Sequence, residues 1–334
     1  MSILDRERIR LRTLQKIIDP DLARFEAELA RIMAGGSPLA REICDHLQQG
    51  KSKRFRPTLL LLAAKDEAPV DQGAVVAAAC VELVHTATLV HDDFIDGAVV
   101  RRGLPSVNHA WGGAAALIMG DYLYAKAIDD LCGHGLHDAV GALARSTVAM
   151  SQAEIMQVEL RYSLATTEEQ YLQVIERKTA SLIATACELG ASFHPRVRTE
   201  RAAFGEFGRK VGLVFQITDD IFDYLGDERR LGKPTGQDWE EGRVTLPLIA
   251  ALRQAPAAER AAFLDACSDR RGEPWLALWP QVKAFVAAHD GVGYARALAR
   301  RFGDEAKAEI APIARGAQRE LLETAAEYVI HRLN

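Results

Sequence analysis

Apolar positions along most of this chain recur every three to four residues, the period of a helix that turns one face inward. The pattern predicts helices over Asp21–Ala34, Val75–Asp96, Asp121–Leu131, Ala139–Arg161, Glu168–Leu189, Arg201–Tyr224 and Gly316–Leu333. Alanine is abundant, and runs of β-branched residues with period two are missing. Pro20, Pro57, Pro105, Pro195, Pro234, Pro247 and Pro256 punctuate these segments, as befits residues that cannot continue a helix. Ala74–Val90 is apolar nearly all round, so other helices must enclose it. The reading is an all-α chain built as a multilayer bundle. No Pro/Gly/Ser-rich linker, low-complexity run or clear repeat divides it, so a single domain over 1–334 is expected, with helices over 248–334 closing it.

Composition narrows the partners. Hydrophobic residues make up 49% and charged residues 26%, ordinary for a globular protein. A net charge of −5 offers no basic footprint for nucleic acid. Uninterrupted apolar stretches, such as Leu59–Ala64 and Ala114–Met119, fall far short of the ~18 residues of a membrane span. Met1–Arg12 is charged and lacks the apolar run of a signal peptide. Five cysteines stand singly with no CxxC, which argues against a zinc site and fits a reducing cytoplasm.

Candidate chemistry lies in two aspartate triplets of identical spacing, Asp92-Asp93-Phe94-Ile95-Asp96 and Asp219-Asp220-Ile221-Phe222-Asp223. On a helix the first and last carboxylates of each share one face. Three anions so close repel one another, and a cation relieves the repulsion. Hard oxygen donors without Cys or His suit Mg²⁺. A single triplet is equally a solvated acidic helix face; two in rich polar surroundings point to a metal clamp.

The first triplet follows His85-Thr86-Ala87-Thr88-Leu89-Val90-His91 and precedes Arg101-Arg102-Gly103 and Pro105-Ser106. The second follows Phe215-Gln216-Ile217-Thr218 and precedes Gly232-Lys233-Pro234 and Glu241-Gly242-Arg243-Val244-Thr245-Leu246-Pro247. Together they resemble the trans-polyprenyl diphosphate synthases, from about Lys53 to Pro247 and more weakly to the C-terminus, with the densest motifs within 51–247. The resemblance implies a central cavity walled by helices, with the two motifs facing each other across its mouth, and a homodimer. It also implies a Mg²⁺-dependent head-to-tail condensation. An allylic diphosphate ionises, isopentenyl diphosphate attacks the cation, and a proton is lost.

The same resemblance distributes the roles. Asp92 and Asp96 hold metal on one side and Asp219 on the other, with Asp93, Asp220 and Asp223 as ligands or their supports, and three Mg²⁺ gather when substrate is bound. Arg101, Lys178, Lys233 and Arg243 meet the allylic diphosphate; Arg243 stands where the family more often has lysine, exchanging an ammonium for a planar fork. Lys53, Arg56, His85 and Arg102 receive isopentenyl diphosphate, within a basic cluster that also holds Lys51 and Arg54. Lys51-Ser52 replaces two glycines usual there. Thr179, beside Lys178, and Gln216, three residues before Asp219, turn oxygens toward the cation. No side chain stands out as a general base, in keeping with a departing diphosphate that takes the proton. Glu154 and Gln157 belong to a motif whose leading glycine is here Ala153, and read as supports.

Chain length in the family depends on what blocks the cavity below the first motif. Short-chain members place an aromatic residue where this chain has Ala87 or Thr88, one turn before Asp92. Both are small, so the growing tail should pass them, giving about eight isoprene units (about seven to ten), as for quinone side chains. Leu143 and Met150 are candidate floor residues. Such an apolar product also implies a peripheral membrane contact at release. The alternatives are a geranylgeranyl diphosphate synthase, an inactive partner subunit of a heteromeric synthase, and a class I terpene cyclase. Partner subunits usually lose one Asp motif and cyclases carry a different second motif; here both triplets are intact.

Overall fold

Helical periodicity becomes helix along nearly the whole chain in a computed structural model that describes residues 11–225, 235–267 and 273–331. The helices are α1 (Leu11–Ile17), α2 (Asp19–Met33), α3 (Pro38–Gln49), α4 (Phe55–Ala64), α5 (Gln72–Ile95), α6 (Val107–Trp111), α7 (Gly113–Gly133), α8 (His137–Leu160), α9 (Glu168–Ile175), α10 (Ser181–Ser192) and α11 (Arg201–Leu225). Shorter segments follow, then Gly291–Ile310 and Gly316–His331. Two compact units share the chain. The first takes 1–147, 182–208 and 309–325; the second takes 148–181, 209–308 and 326–334.

In the first unit α5 is the central element, with α2, α4 and α7 packed along it. The Asp71 side chain caps its start by accepting from the Gly73 amide at 2.7 Å. Every residue from Ala74 to Val84 is buried. On α4, Leu59 through Leu62 are fully buried, each contributing about 1.5–3 kcal/mol relative to exposure. By length and composition α5 matches a membrane span, yet 78% of its apolar window is buried within the protein, as in a core helix. Its apolar run is broken in sequence by Glu82, His85, Thr86, Thr88 and His91. Just beyond α5 a small hairpin pairs Val100 with Pro105 and Arg101 with Leu104. Its two turn residues, Arg102 (φ 54°) and Gly103 (φ 82°), are both left-handed, the geometry that a tight hairpin of right-twisted strands demands. Strands of two residues leave no period to read in the sequence.

In the second unit α9 opens with a capping box, Thr167 and Gln170 each bonding the other's backbone. It runs into a π-helical turn, Glu176–Ala180, ahead of α10. The sequence pattern predicts one unbroken helix over Glu168–Leu189; the π-turn inserts an extra residue per turn and changes which side chains share a face beyond it. Leu246–Gln254 packs on α9 and on Trp279–Ala288. Trp239 and Trp275 stack at 3.8 Å between centroids, and each indole N–H donates to the other's backbone carbonyl, at 2.8 and 2.6 Å. This reciprocal clasp buries both rings and fixes the loop that follows Gly236.

Candidate active site

In the first unit the basic cluster gathers on α5. Arg56 donates to His85 Nε2 at 3.0 Å, so the imidazole accepts and is neutral. Burial, with Arg56, Arg102, Arg101 and Arg54 around it, holds His85 well below its ordinary 6.5. One turn earlier the buried carboxylate of Glu82 takes Arg54 at 2.9 Å and the Ser52 hydroxyl at 3.0 Å. Ser52, standing where glycine is usual, thus fastens the loop to α5. Arg54 also reaches Glu26 at 2.8 Å, so this cation braces the site from behind. Lys53 is exposed, and its carbonyl accepts from the Gln15 amide at 2.9 Å. Arg54 and Arg102 both hold left-handed backbone (φ 50° and 54°), a strain that surrounding structure must enforce and that gathers at functional sites.

The first triplet ends α5. Asp96 is its C-cap, Asp92 is half-buried and Asp93 buried. Arg101, presented by the hairpin, donates its Nε to Asp93 Oδ1 at 2.6 Å and a second nitrogen to the same oxygen. Ala87 is buried on α5, and the Thr88 hydroxyl turns back to the His85 carbonyl at 2.8 Å.

In the second unit the π-turn and α11 meet. An added Cβ at Gly212 would come within 2.5 Å of Ala180 Cα, so only glycine permits this approach. One turn along α11, Thr179 Oγ1 donates to Gln216 Oε1 at 2.7 Å. Gln216 Nε2 donates to Asp220 Oδ1 at 2.8 Å, and the Tyr171 hydroxyl donates to Asp220 Oδ2 at 2.7 Å. Asp223 accepts three backbone N–H groups, from Gly236, Gln237 and Asp238, at 2.9–3.1 Å. Lys178 is held by Glu154 at 2.6 Å and Gln157 at 2.7 Å. Arg243 pairs with Glu241 at 2.5 Å and lies 3.6 Å from Asp238. Lys178, Thr179, Gln216, Asp220, Asp238 and Arg243 line one cavity of about 80 Å³. Lys233 lies outside the described residues.

Burial pushes Asp220 up to about 7, with Asp219 and Asp223 adding repulsion against the bonds from Tyr171 and Gln216. Asp223 is raised by burial despite its three amides, and Asp238 is raised well up by burial beside Asp220 and Asp223. Sequence reasoning passed over Tyr171, Asp238 and Glu82. Tyr171 stands seven residues before Lys178, two helical turns, and that spacing is a usable signal. Asp238 carries none, because its fastening to Asp223 belongs to the tertiary turn.

Both triplets fit a hard divalent cation. They offer only oxygen donors, and they end long helices, where the macrodipole is negative and further carboxylates are disfavoured. A different group, Glu28, Asp130 and His134, also clusters, but Arg31 bonds Glu28 at 2.6 Å and Asp130 at 2.7 and 2.8 Å, so it is an ion-pair network.

A family model described as polyprenyl synthetase matches residues 37–274. The heptaprenyl diphosphate synthase component 2 of Geobacillus stearothermophilus is 40% identical over 247 residues, 73% of this chain and 76% of that protein. The short chain isoprenyl diphosphate synthase of Methanothermobacter thermautotrophicus is 32% identical over 292 residues, 86% and 89% of the two chains. The crystal structure of polyprenyl synthase from Caulobacter crescentus, complexed with calcium and isoprenyl diphosphate, superposes with a TM-score of 0.87 at 30% identity, covering 97% and 98%. These names disagree about product length and agree about reaction class. The all-α fold, the two aspartate motifs and these likenesses together establish that this chain belongs to the polyprenyl synthetase family and is a prenyltransferase that makes trans-prenyl diphosphates.

Proposed function

We propose that this protein is a long-chain trans-polyprenyl diphosphate synthase, adding isopentenyl diphosphate to an allylic primer until the product holds about eight isoprene units. The observation that carries the length is the pairing of buried, small Ala87 with Thr88, whose hydroxyl is folded back onto the helix, so no bulk stands one turn below Asp92.

Lys53, Arg56, His85 and Arg102 bind the isopentenyl diphosphate; the neutral imidazole keeps an N–H for a phosphate oxygen while Arg56 supplies charge. Asp92, Asp96 and Asp219 are the carboxylates that would hold metal, while Asp93, Asp220 and Asp223 support them through Arg101, Tyr171 and the 236–238 amides. Bound Mg²⁺, about three ions with both substrates present, supplies the charge stabilisation that a leaving diphosphate needs. Arg101, Lys178, Lys233 and Arg243 orient the allylic diphosphate. Thr179 and Gln216 then turn oxygens toward the cation, stabilising it without an anionic nucleophile. The departing diphosphate takes the proton.

Incubation with Mg²⁺, farnesyl diphosphate and labelled isopentenyl diphosphate, followed by separation of the dephosphorylated lipids, tests this. A ladder ending near forty carbons is expected, and Ala87→Tyr should shorten it. A single twenty-carbon product would replace this reading with a geranylgeranyl synthase. The word "component" in the Geobacillus relative's name makes a heteromeric partner the second question; the intact motifs assign this chain the catalytic part, so activity without a partner is expected. Exposed Leu117 (50%) and Ile118 (68%) on α7 support a second copy of the chain as that surface's cover, which sedimentation would test. A cytoplasmic enzyme with a peripheral membrane contact for product release completes the reading.

A further inference from the structure

Tyr171, Asp220, Gln216 and Thr179 form an unbroken chain of hydrogen bonds on one wall of the second unit's cavity. The direction of each bond is fixed from one end. Once ionised, the state that a cation held by the neighbouring Asp219 favours, Asp220 accepts and does not donate, so it takes the Tyr171 O–H on one oxygen and an amide N–H on the other. Gln216 therefore has its nitrogen toward Asp220 and its oxygen toward Thr179. The Thr179 hydroxyl hydrogen is in turn committed to Gln216. At the Thr179 end the chain presents the lone pairs of Thr179 Oγ1 and Gln216 Oε1, with the Thr179 hydrogen already used and the Gln216 nitrogen turned to Asp220.

We infer that Tyr171 is a positioning residue for the condensation: by holding Asp220 it locks the Gln216 amide in the orientation that turns oxygen, and not NH₂, toward the allylic cation. The inference rests on the proposed synthase reading and deepens it. Tyr171 is 5% exposed and Asp220 3%, so neither has water as a ready substitute partner, and removing one hydroxyl leaves a carboxylate oxygen short of a donor. A loosened Asp220 lets the amide rotate, and a rotated amide places positive hydrogens against a developing positive charge.

The experiment compares wild type, Tyr171→Phe, Gln216→Leu and the double variant, each as the full chain with Mg²⁺, isopentenyl diphosphate and either farnesyl or 2-fluorofarnesyl diphosphate. Fluorine destabilises the cation, so the ratio of the two rates reports how much the protein supports it. Tyr171→Phe should lower kcat about tenfold with the KM for isopentenyl diphosphate unchanged, and should widen the farnesyl-to-fluorofarnesyl ratio. In the Gln216→Leu background the same change should cost little more, since Tyr171 acts through that amide. Additive losses, an unchanged ratio, or unchanged kcat in Tyr171→Phe would each overturn the inference while leaving the synthase reading intact. Should Tyr171→Phe fold poorly by circular dichroism, Tyr171→Met, which also removes the hydroxyl, supplies the same comparison: a widened ratio there upholds the inference and an unchanged one overturns it. A wild-type enzyme that condenses no primer would remove the synthase reading itself.

Discussion

The two aspartate triplets share a spacing and a place at the end of a long helix, yet the protein stabilises them by different means. In the first, a cation from a neighbouring hairpin lies on the buried carboxylate: Arg101 forks onto Asp93. In the second, neutral donors do that work, Tyr171 and Gln216 on Asp220 and three amides on Asp223. The difference is electrostatic. An ion pair cancels charge, whereas a neutral hydrogen bond only solvates it, so burial, with repulsion from Asp219 and Asp223 added, holds the Asp220 proton up to about 7 despite its two donors. Identical motifs in sequence are therefore two different electrostatic devices in structure.

The largest effect should come from the carboxylates assigned to metal. Asp92→Ala and Asp219→Ala are each expected to cut turnover by ~10³ or more, with far-UV circular dichroism unchanged. Near-normal turnover in either would break the equivalence of the two motifs. Gly212→Ala should come next. The new methyl meets the Ala180 backbone, forcing α11 off the π-turn and parting Thr179 from Gln216, so turnover should fall about tenfold with little effect on KM for isopentenyl diphosphate. Arg101→Ala leaves Asp93 buried without its cation and should destabilise the metal-free protein by about 2 kcal/mol in urea unfolding, Arg101 itself being partly solvated. Tyr171→Phe, removing a neutral donor, should cost about half as much; the reverse order would undo the distinction drawn here.

The smallest effect is a pair of opposed pH dependences in the metal-free protein. Asp220 keeps its proton to about 7 when folded but releases it near 3.8 when unfolded, so its contribution to stability falls as pH rises through that interval. His85 stays neutral when folded but would take a proton near 6.5 when unfolded, so its contribution falls as pH drops below 6.5. Differences in melting temperature from wild type across this range should show Asp220→Asn removing the first slope and His85→Gln the second.

Much of this arrangement was legible in the sequence, and the parts that were not have physical reasons. The helices over Val75–Asp96 and Arg201–Tyr224 were readable because burial imposes a period, and α5 and α11 fall within a few residues of those limits. Arg56 and His85, 29 positions apart, could be grouped only through resemblance, and the structure joins them by a hydrogen bond. The π-turn at Glu176–Ala180 was hidden because one extra residue in a turn leaves the surrounding apolar pattern nearly intact. Glu82 and Asp238 were hidden because a buried carboxylate looks, in sequence, like any surface acid; only the partners around Glu82 and the turn that encloses Asp238 distinguish them. The Val100–Pro105 hairpin was too short to have a pattern at all, yet it presents Arg101 and Arg102.

The tryptophan clasp has a consequence for how the enzyme can be watched. Two of the chain's four indoles, Trp239 and Trp275, lie face to face with an interplanar angle of 11°, immediately beside the stretch that carries Asp238 and Arg243. Stacked chromophores share their electronic transitions, so the pair should give a near-ultraviolet circular dichroism signal that separated indoles lack. Substrate binding that shifts this stretch changes the overlap, and the protein thereby carries an intrinsic optical gauge of its own active-site loop, readable without a label.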